Sequence, residues 1–252
     1  MTDKRFIEDA YLKRLNTEVI DVRTGDTPCF TVKETVFYAM SGGQPGDTGS
    51  VINSAGDEIA ITDTRYDSDR QTIVHYIAAD NAGKLRSGEA VTLMINWPRR
   101  HRLMRMHSAM HLLCSLIPYP VTGGGVGETE SRVEFDMSTG DFDKEELSRQ
   151  LTELTERAID IETSWITDDE LDQNPELVRT MSVQPPRGTG RIRMVKIGDH
   201  VDYQPCGGTH VKNTTEIGPL QVTKIKSKGK QNKRVSNFLK VVRLKSVGPI
   251  FS

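Results

Sequence analysis

Two short motifs that lie far apart in the chain constrain its fold most strongly. His107 and His111 stand four residues apart in a segment with helical spacing, so both imidazoles leave the same helix face. Cys206 and His210 are also four residues apart, and the two glycines between them allow a tight turn. Three nitrogens and one sulfur suit tetrahedral zinc. The sequence therefore predicts a fold that brings both motifs to one zinc ion.

Each motif alone is weak evidence, and other interpretations remain open. The histidines and the thiol could be core residues that satisfy each other without a metal. Cys114 is a rival fourth ligand, because it lies three residues after His111 on the same helical face. Its leucine neighbours favour a core position instead. Ser108 stands where zinc proteases of the HExxH type carry their general base, so peptide hydrolysis by that mechanism is not expected.

Composition limits the remaining classes. A chain of 252 residues has room for two small domains. With 36% hydrophobic residues, 27% charged residues and a mean hydropathy of -0.47, it reads as an ordinary soluble protein. No apolar run approaches the roughly 20 residues of a membrane span, so no membrane partner is expected. Three cysteines and an N-terminus without a secretory pattern favour a reducing, cytoplasmic location with thiols free for metal.

The pattern of elements predicts an α+β protein with two domains. Residues 1–97 read as a small β-barrel, with short strands separated by turn residues; the predicted strands include Thr17–Val22, Thr35–Tyr38, Ile73–Ile77 and Val91–Ile95. Residues 98–252 read as an α+β domain that carries the zinc site. Its predicted elements are helices at Arg99–Leu116 and Asp143–Ile161, strands at Arg191–Ile197 and Gly218–Ile225, and a last basic segment ending in Leu239–Leu244.

The charge pattern predicts a local surface for nucleic acid. The net charge of -2 gives no global sign of such a partner. However, the stretch from Gln221 to Lys245 contains many basic residues and no acidic one, and a second basic cluster comprises Arg99, Arg100, Arg102 and Arg105. Dispersed lysines bind phosphates without reading bases. We expect Lys226, Lys228 and Lys230 to bind a nucleic-acid backbone, with a solvated charged tail as the alternative.

A family resemblance rests on the paired motifs. HSAMHLL at His107–Leu113 and CGGTH at Cys206–His210 resemble the editing domain of alanyl-tRNA synthetases and the AlaX proteins, which consist largely of that domain. The glycine-rich stretch Ser41–Gly49 looks like the one in the N-terminal β-domain of the longer AlaX forms. Further matching stretches are Phe37–Gly49, Asn96–Met106, Arg132–Phe135 and Val211–Lys230. The resemblance thus covers nearly the whole chain.

The resemblance implies an activity and a set of site residues. It implies zinc held by His107, His111, Cys206 and His210, and hydrolysis of the ester that joins serine or glycine to the acceptor end of alanine tRNA. The candidates for contact with the serine hydroxyl, and hence for a catalytic role, are Ser108 and Thr209. The substrate-binding candidates are Ser41, Gly42, Gly43, Gln44, Arg132 and the three lysines named above. Met110 and Ser41 depart from the residues usual in the family, which affects the lining of the pocket.

Other functions fit parts of the same pattern. The glycine-rich stretch could be an ordinary barrel turn, and it lacks the GKS or GKT ending of a phosphate-binding loop, so no nucleotide cofactor is expected. A non-catalytic tRNA-binding module held together by zinc would bind without turnover. A metal-dependent hydrolase of small esters or amides would show no salt-dependent tRNA affinity. Editing of threonine tRNA is also possible, because some threonyl synthetases share the paired motifs. It is the weaker alternative, because the glycine-rich N-terminal stretch points to the alanine branch.

Overall fold

The computed structural model describes residues 1–137, 142–181, 190–227 and, for the backbone, 232–235. Its N-terminal part contains the strands β1 (Asp3–Lys4), β2 (Arg14–Arg23), β3 (Cys29–Val32), β4 (Glu34–Thr35), β5 (Gly49–Ile52), β6 (Glu58–Tyr66), β7 (Ile73–Ile77) and β8 (Ala90–Ile95). Six of them close a barrel in the order β2, β3, β7, β6, β5, β8. The predicted small β-barrel is confirmed.

Alternation of side chains and two irregularities explain the closure. Along β6 every second residue of its first half is buried, and Phe30, Val51 and Leu93 fill the barrel interior, as a period of two dictates. The register shifts between Val19 and Asp21 in β2 and again in β6. Such bulges bend strands and increase their twist, and this curvature helps a sheet of short strands to close.

One predicted strand of the barrel is wrong. Thr35–Tyr38 was expected to be extended throughout, but β4 ends at Thr35. The backbone N–H of Phe37 donates to Thr35 Oγ1 at 3.0 Å, and that of Tyr38 donates to Asp47 Oδ2 at 2.7 Å. Side chains therefore take the donors that a β-ladder would need. The sequence pattern did not place β3, β5 and β6 individually.

The C-terminal part combines helices with two antiparallel sheets. The helices are α1 (Trp97–Leu116), α2 (Lys144–Glu156) and α3 (Asp168–Gln173), and the strands are β9 (Val121–Gly125), β10 (Arg132–Asp136), β11 (Ile161–Ile166), β12 (Ile192–Ile197), β13 (Asp202–Pro205), β14 (Lys226–Ser227) and β15 (Asn232–Val235). One sheet has the order β14, β15, β10, β9, and the other has β11, β12, β13. The predicted α+β class is confirmed. Within the described ranges, no helix has the length and apolar character that crossing a bilayer requires.

Two predicted elements differ in extent. The helix expected to reach Ile161 ends at Glu156, because Ala158 adopts a φ of 54° and left-handed backbone stops a helix. Ile161 instead opens β11. The predicted strand Gly218–Ile225 is irregular; the N–H of Val222 donates to Ser148 Oγ of α2 at 2.8 Å, so it does not join a ladder. The basic segment ending in Leu239–Leu244 lies outside the described residues.

Helix α1 is anchored in the barrel by a buried ion pair. Its first turn is capped by Asn96, which accepts from the N–H of Arg99. One turn later Arg100 is fully buried. Its Nε donates to both carboxylate oxygens of Asp47 at 3.0 and 2.9 Å, and its other nitrogens donate to the carbonyls of Ala10 and Val36. All the contacts that Arg100 makes here fix α1 to residues 10–47.

The predicted arginine cluster serves internal contacts. Arg99 and Arg102 both pair with Glu128, and Arg105 donates to the carbonyl of Ile217 at 2.6 Å. Together with the burial of Arg100, these bonds commit the guanidinium groups to their own chain. Arg100 therefore lies away from any nucleic-acid surface, whereas Arg102 is half exposed, and a nucleic-acid surface at this position stays a prediction.

We expect the Arg100→Met variant to lose about 3 to 5 kcal/mol of unfolding free energy, because Asp47 would remain buried without its partner. The Arg102→Met variant is the matched control on the same helix. Its half-exposed pair with Glu128 should contribute less than about 1 kcal/mol. Urea unfolding followed by circular dichroism measures both values, and equal losses in the two variants would contradict the anchoring role of Arg100.

His75 should make the barrel sensitive to acid. It is fully buried, stacks on Phe30, and lies with Nε2 2.9 Å from Thr35 Oγ1. Burial lowers its pKa to about 4. The folded state therefore favours the neutral ring. The stabilisation of the folded state that this gives is fully present above the ordinary pKa of 6.5, and it is lost as the pH falls from there towards 4. The unfolding free energy should drop by up to about 1.4 kcal/mol per pH unit in that window.

The variant His75→Gln isolates this term, because all other titrating groups are unchanged. We expect its unfolding free energy to vary less between pH 7 and pH 5 than that of the unaltered protein. Parallel pH profiles for the two proteins would exclude His75 as the origin of the acid sensitivity.

Candidate metal centre

The four predicted ligands meet at one point. His107 and His111 extend from α1, Cys206 follows β13, and His210 ends the loop after it. Their ligand atoms all lie within 4.8 Å of one another. Three of the four residues are buried and Cys206 is partly exposed. This cluster could hold a metal ion.

Two of the distances between candidate ligand atoms match those around a tetrahedral ion. Cys206 Sγ lies 3.6 Å from His107 Nε2 and 3.7 Å from His210 Nε2. Nitrogen and sulfur ligands at tetrahedral corners around zinc are separated by roughly 3.3 to 3.8 Å, given the usual bond lengths. Cys114 is not part of the cluster; it is buried in the apolar core. The geometry thus favours Cys206 over Cys114 as the fourth ligand.

A carboxylate orients His111. Asp202 Oδ2 lies 2.7 Å from His111 Nδ1, and Gln204 Nε2 donates to the same carboxylate at 2.9 Å. A carboxylate on the far nitrogen fixes the ring and leaves Nε2 for the metal. Burial opposes a charge on His111, but Asp202 and the Cys206 thiolate outweigh it and raise the pKa of His111 to about 10. A metal at this centre has to displace that proton.

Gln44 orients His107 from the barrel. Its Oε1 lies 2.8 Å from His107 Nδ1 and also accepts from the N–H of Thr209 at 3.1 Å. Its Nε2 donates to Thr209 Oγ1 at 2.8 Å. Because the amide oxygen accepts, His107 carries its proton on Nδ1 and presents Nε2 to the cluster. One fully buried amide thus positions a candidate ligand and the loop of the second motif.

The charges within the cluster suit metal binding. Burial disfavours the Cys206 thiolate, but His107 and His210 more than offset it and lower the pKa of Cys206 well below its ordinary value. Burial and the nearby His107 lower the pKa of His210 to about 3, and His210 Nδ1 has no partner among the described residues. A thiolate beside a neutral imidazole is the protonation state that a metal requires.

The glycine-rich stretch forms a tight turn beside the centre. Ser41 and Gln44 close it, with the N–H of Gln44 donating to the Ser41 carbonyl at 2.9 Å. Gly42 and Gly43 have φ angles of 54° and 81°, which suit glycine at both central positions of such a turn. Gly43 also touches β9, where an added Cβ would lie 2.8 Å from the carbonyl oxygen of Gly124. The turn therefore packs against β9 of the C-terminal part and places Gln44 within hydrogen-bond distance of His107.

The other candidate residues occupy varied positions. Ser108 is fully buried, and its Oγ accepts from the N–H of Val211 at 3.2 Å. Arg132 is exposed on β10, 3.6 Å from Glu134. Lys226 is exposed on β14, whereas Lys228 and Lys230 lie outside the described residues. The catalytic and substrate-binding roles of all these residues stay predictions.

Sequence reasoning missed several residues that shape the centre. Asp202 and Gln204 precede Cys206 at intervals of two residues, and side chains at that interval share one face of a strand. This alternation could have predicted that both face the metal ligands. Arg193 was also missed; its guanidinium donates to the carbonyls of Cys206 and Gly208 at 2.8 and 3.0 Å. No local signal in the sequence indicates that contact.

Similarities to known proteins agree with this architecture. Residues 192–236 match the family described as the threonyl and alanyl tRNA synthetase second additional domain, and residues 9–99 match the class II (A) tRNA synthetases. The barrel and the metal centre thus define a protein built from parts shared with those synthetases.

Full-length relatives make the assignment more specific. The alanyl-tRNA editing protein AlaX-M of Methanosarcina barkeri is 32% identical over 93% of this chain and 98% of the relative. The protein of the same description from Saccharolobus solfataricus is 30% identical with the same coverage. The alanine–tRNA ligase of Hyperthermus butylicus is 30% identical over 89% of this chain but only 24% of the ligase. The chain belongs to the AlaX family of alanyl-tRNA editing proteins.

Gly208 and Gly207 provide a matched test of the metal centre. A Cβ on Gly208 would lie 2.2 Å from His107 Cε1, whereas a Cβ on Gly207 would meet nothing within 4 Å. We expect Gly208→Ala to displace the His107 ring and to lower the metal content per chain severalfold, and Gly207→Ala to keep the content of the unaltered protein. Elemental analysis of the purified proteins measures both. Full metal content in Gly208→Ala would show that the ring does not need this position.

Proposed function

We propose that this chain is a zinc-dependent aminoacyl-tRNA deacylase that removes wrongly attached serine, with glycine as a second substrate, from alanine tRNA in trans. The observation that carries the proposal is the convergence of His107, His111, Cys206 and His210, with Gln44 of the glycine-rich turn bonded to His107. The relatives described as alanyl-tRNA editing proteins support the choice of substrate.

Zinc is the metal that these donors favour. Imidazole and thiolate together select zinc among the common divalent ions, and tetrahedral geometry agrees with its preference. When bound, zinc supplies a Lewis acid that can polarise an ester carbonyl or hold a substrate group in place. The protein's contribution is to orient His111 through Asp202 and His107 through Gln44.

Thr209 is our candidate for recognising the serine side chain. Its Oγ1 accepts from Gln44 Nε2, which leaves the hydroxyl proton of Thr209 available for a substrate oxygen. Ser108 Oγ accepts from the N–H of Val211, and both residues are fully buried. Thr209 is preferred because Gln44 links it to His107. A site that hydrogen-bonds a substrate hydroxyl rejects the analogue without it. Serine would thereby be hydrolysed while alanine, which lacks the hydroxyl, is spared.

Basic residues near the C-terminus would hold the tRNA. In the described part, Lys226 and Arg132 are exposed on the sheet that contains β9 and β10, and we propose that Lys228 and Lys230 extend this contact. Lysine contacts to phosphates give affinity without base reading.

We also propose that residues 1–97 and 98–252 are the two domains, and that the protein acts in the cytoplasm, where its free cysteines stay reduced.

Deacylation of charged alanine tRNA tests the proposal. In the reaction water attacks the ester carbonyl, the bond to the terminal ribose oxygen breaks, and the ribose hydroxyl and free amino acid are released. We expect release of serine from seryl-tRNA(Ala), with alanyl-tRNA(Ala) spared. Chelator treatment and the Cys206→Ala variant should each reduce the rate by at least about 100-fold, in line with loss of a metal site's function.

The Cys114→Ala variant is the matched control, because Cys114 is a buried core residue outside the cluster. It should retain zinc and most of the activity. Retention of zinc in Cys206→Ala together with loss in Cys114→Ala would overturn the ligand assignment. Salt-dependent tRNA binding without any release would identify a non-catalytic tRNA-binding module, and release from small esters without tRNA affinity would identify a small-ester hydrolase.

A further inference from the structure

Trp165 stands out among the exposed aromatic residues. Its side chain lies on β11 with 49% of its surface exposed, although a tryptophan usually buries most of its large apolar area. The neighbouring positions Thr163 and Ser164 are also exposed. The indole therefore presents an open face at the edge of the sheet.

The sheet register places Trp165 in line with the metal centre. Trp165 is the direct partner of Arg193 on β12, and the backbone N–H of Cys206 donates to the carbonyl of Arg193 at 3.0 Å. Directly opposed residues point to the same side of a sheet. Each cross-strand step spans about 5 Å, so the Trp165 side chain starts about 10 Å from that of Cys206 on the same face.

Arg193 connects the indole with the metal-binding loop. It is 9% exposed, and its guanidinium donates to the carbonyls of Cys206 and Gly208. Its Nε has no hydrogen-bond partner among the residues that the structure describes. The buried guanidinium places a positive charge beneath this face of the sheet, and a positive charge attracts an anion at the surface above it. The position between the indole and the metal centre thus favours a group that combines an aromatic ring with a negative charge.

We propose that Trp165 is the stacking platform for the terminal base of the tRNA, with the phosphodiester of that nucleotide drawn towards Arg193. The proposal rests on the proposed function and names a positioning residue for it. A nucleotide has the aromatic face and the anionic charge that this surface favours, and its ribose carries the ester. One indole is too small a patch for a stable protein interface, but it matches the area of one base.

Stacking would position the ester for hydrolysis. With the base held on Trp165, the ribose extends along the sheet face towards the Cys206–His210 loop, and the aminoacyl group reaches the side chains of the centre. Base–aromatic stacking tolerates any base, so this contact would contribute affinity and orientation without selecting the tRNA. Selection of the amino acid stays with the residues around the metal.

A matched pair of variants tests the platform. Tyr203 on β13 is also exposed, but it pairs with Lys196 on the opposite face of the sheet. For seryl-tRNA(Ala), we expect Trp165→Ala to raise KM by about 5-fold to about 150-fold, which is the value of one stacked base, with a much smaller effect on kcat. Trp165→Phe should restore most of the affinity. Tyr203→Ala should behave like the unaltered protein, and all variants should retain equal zinc.

Fluorescence gives a second readout that does not depend on turnover. The chain has two tryptophans, and the other, Trp97, packs against Tyr11 and His101. An uncharged acceptor-stem minihelix should quench the emission of Trp165, and Trp165→Phe should abolish that quenching. A minihelix without its terminal base should not quench.

The outcomes separate this inference from the proposed function. Normal deacylation with Trp165→Ala indistinguishable from Tyr203→Ala, and no quenching, would overturn the platform alone. Quenching that requires both Trp165 and the terminal base, in a protein that releases no serine, would support the platform and overturn the deacylase.

Discussion

The buried pair of Arg100 and Asp47 is the contact on which the geometry of the centre depends. Arg100 precedes His107 by seven residues, two turns of α1, so both project from one helix face. Asp47 follows Gln44 by three residues in the glycine-rich stretch. Locking Arg100 to Asp47 therefore also aligns His107 with Gln44. A buried ion pair with several charge-assisted hydrogen bonds tolerates little displacement. This constraint keeps the alignment fixed.

Buried charges are compensated in the same way at two places along α1. At Arg100 the burial of a cation is compensated by a single carboxylate. At the metal centre the burial of a thiolate is compensated by imidazoles, and Asp202 in turn supports His111. In both places a polar group is kept away from water only where a partner of opposite character is held by another element of the fold. Such pairs specify one arrangement of the barrel, α1 and β13.

The cluster of four candidate ligands could be predicted because the pattern of each motif is local in the sequence. Each pair of ligands lies within five consecutive residues, and helical spacing or a glycine turn decides where the side chains point. The barrel could be predicted in outline for the same reason, from short apolar runs between turns. The exact ends of the strands were harder to predict from the sequence. The end of β4, for example, depends on Asp47, which lies outside the strand and accepts a hydrogen bond from the backbone N–H of Tyr38.

The contacts that orient the ligands could not be predicted, because they join distant parts of the chain. Gln44 bonds to His107 across 63 positions, and Glu128 bonds to Arg99 and Arg102 across 29 and 26 positions. Counting charges in the sequence does not show that Glu128 pairs with two of these arginines. The net charge that a basic cluster presents to a partner depends on the acidic side chains that the fold places opposite it, and that is a property of tertiary structure.

The amide of Gln44 also links two equilibria. Because it joins the barrel to a metal ligand and to the Thr209 loop, any ion that tightens the centre also favours the docked position of the barrel turn. Thermodynamic linkage is reciprocal, so a well-docked barrel must raise the affinity for the ion by the same factor. Docking of the barrel turn would then be coupled to ion binding, and loosening the turn would weaken ion binding without altering any of the four candidate ligands.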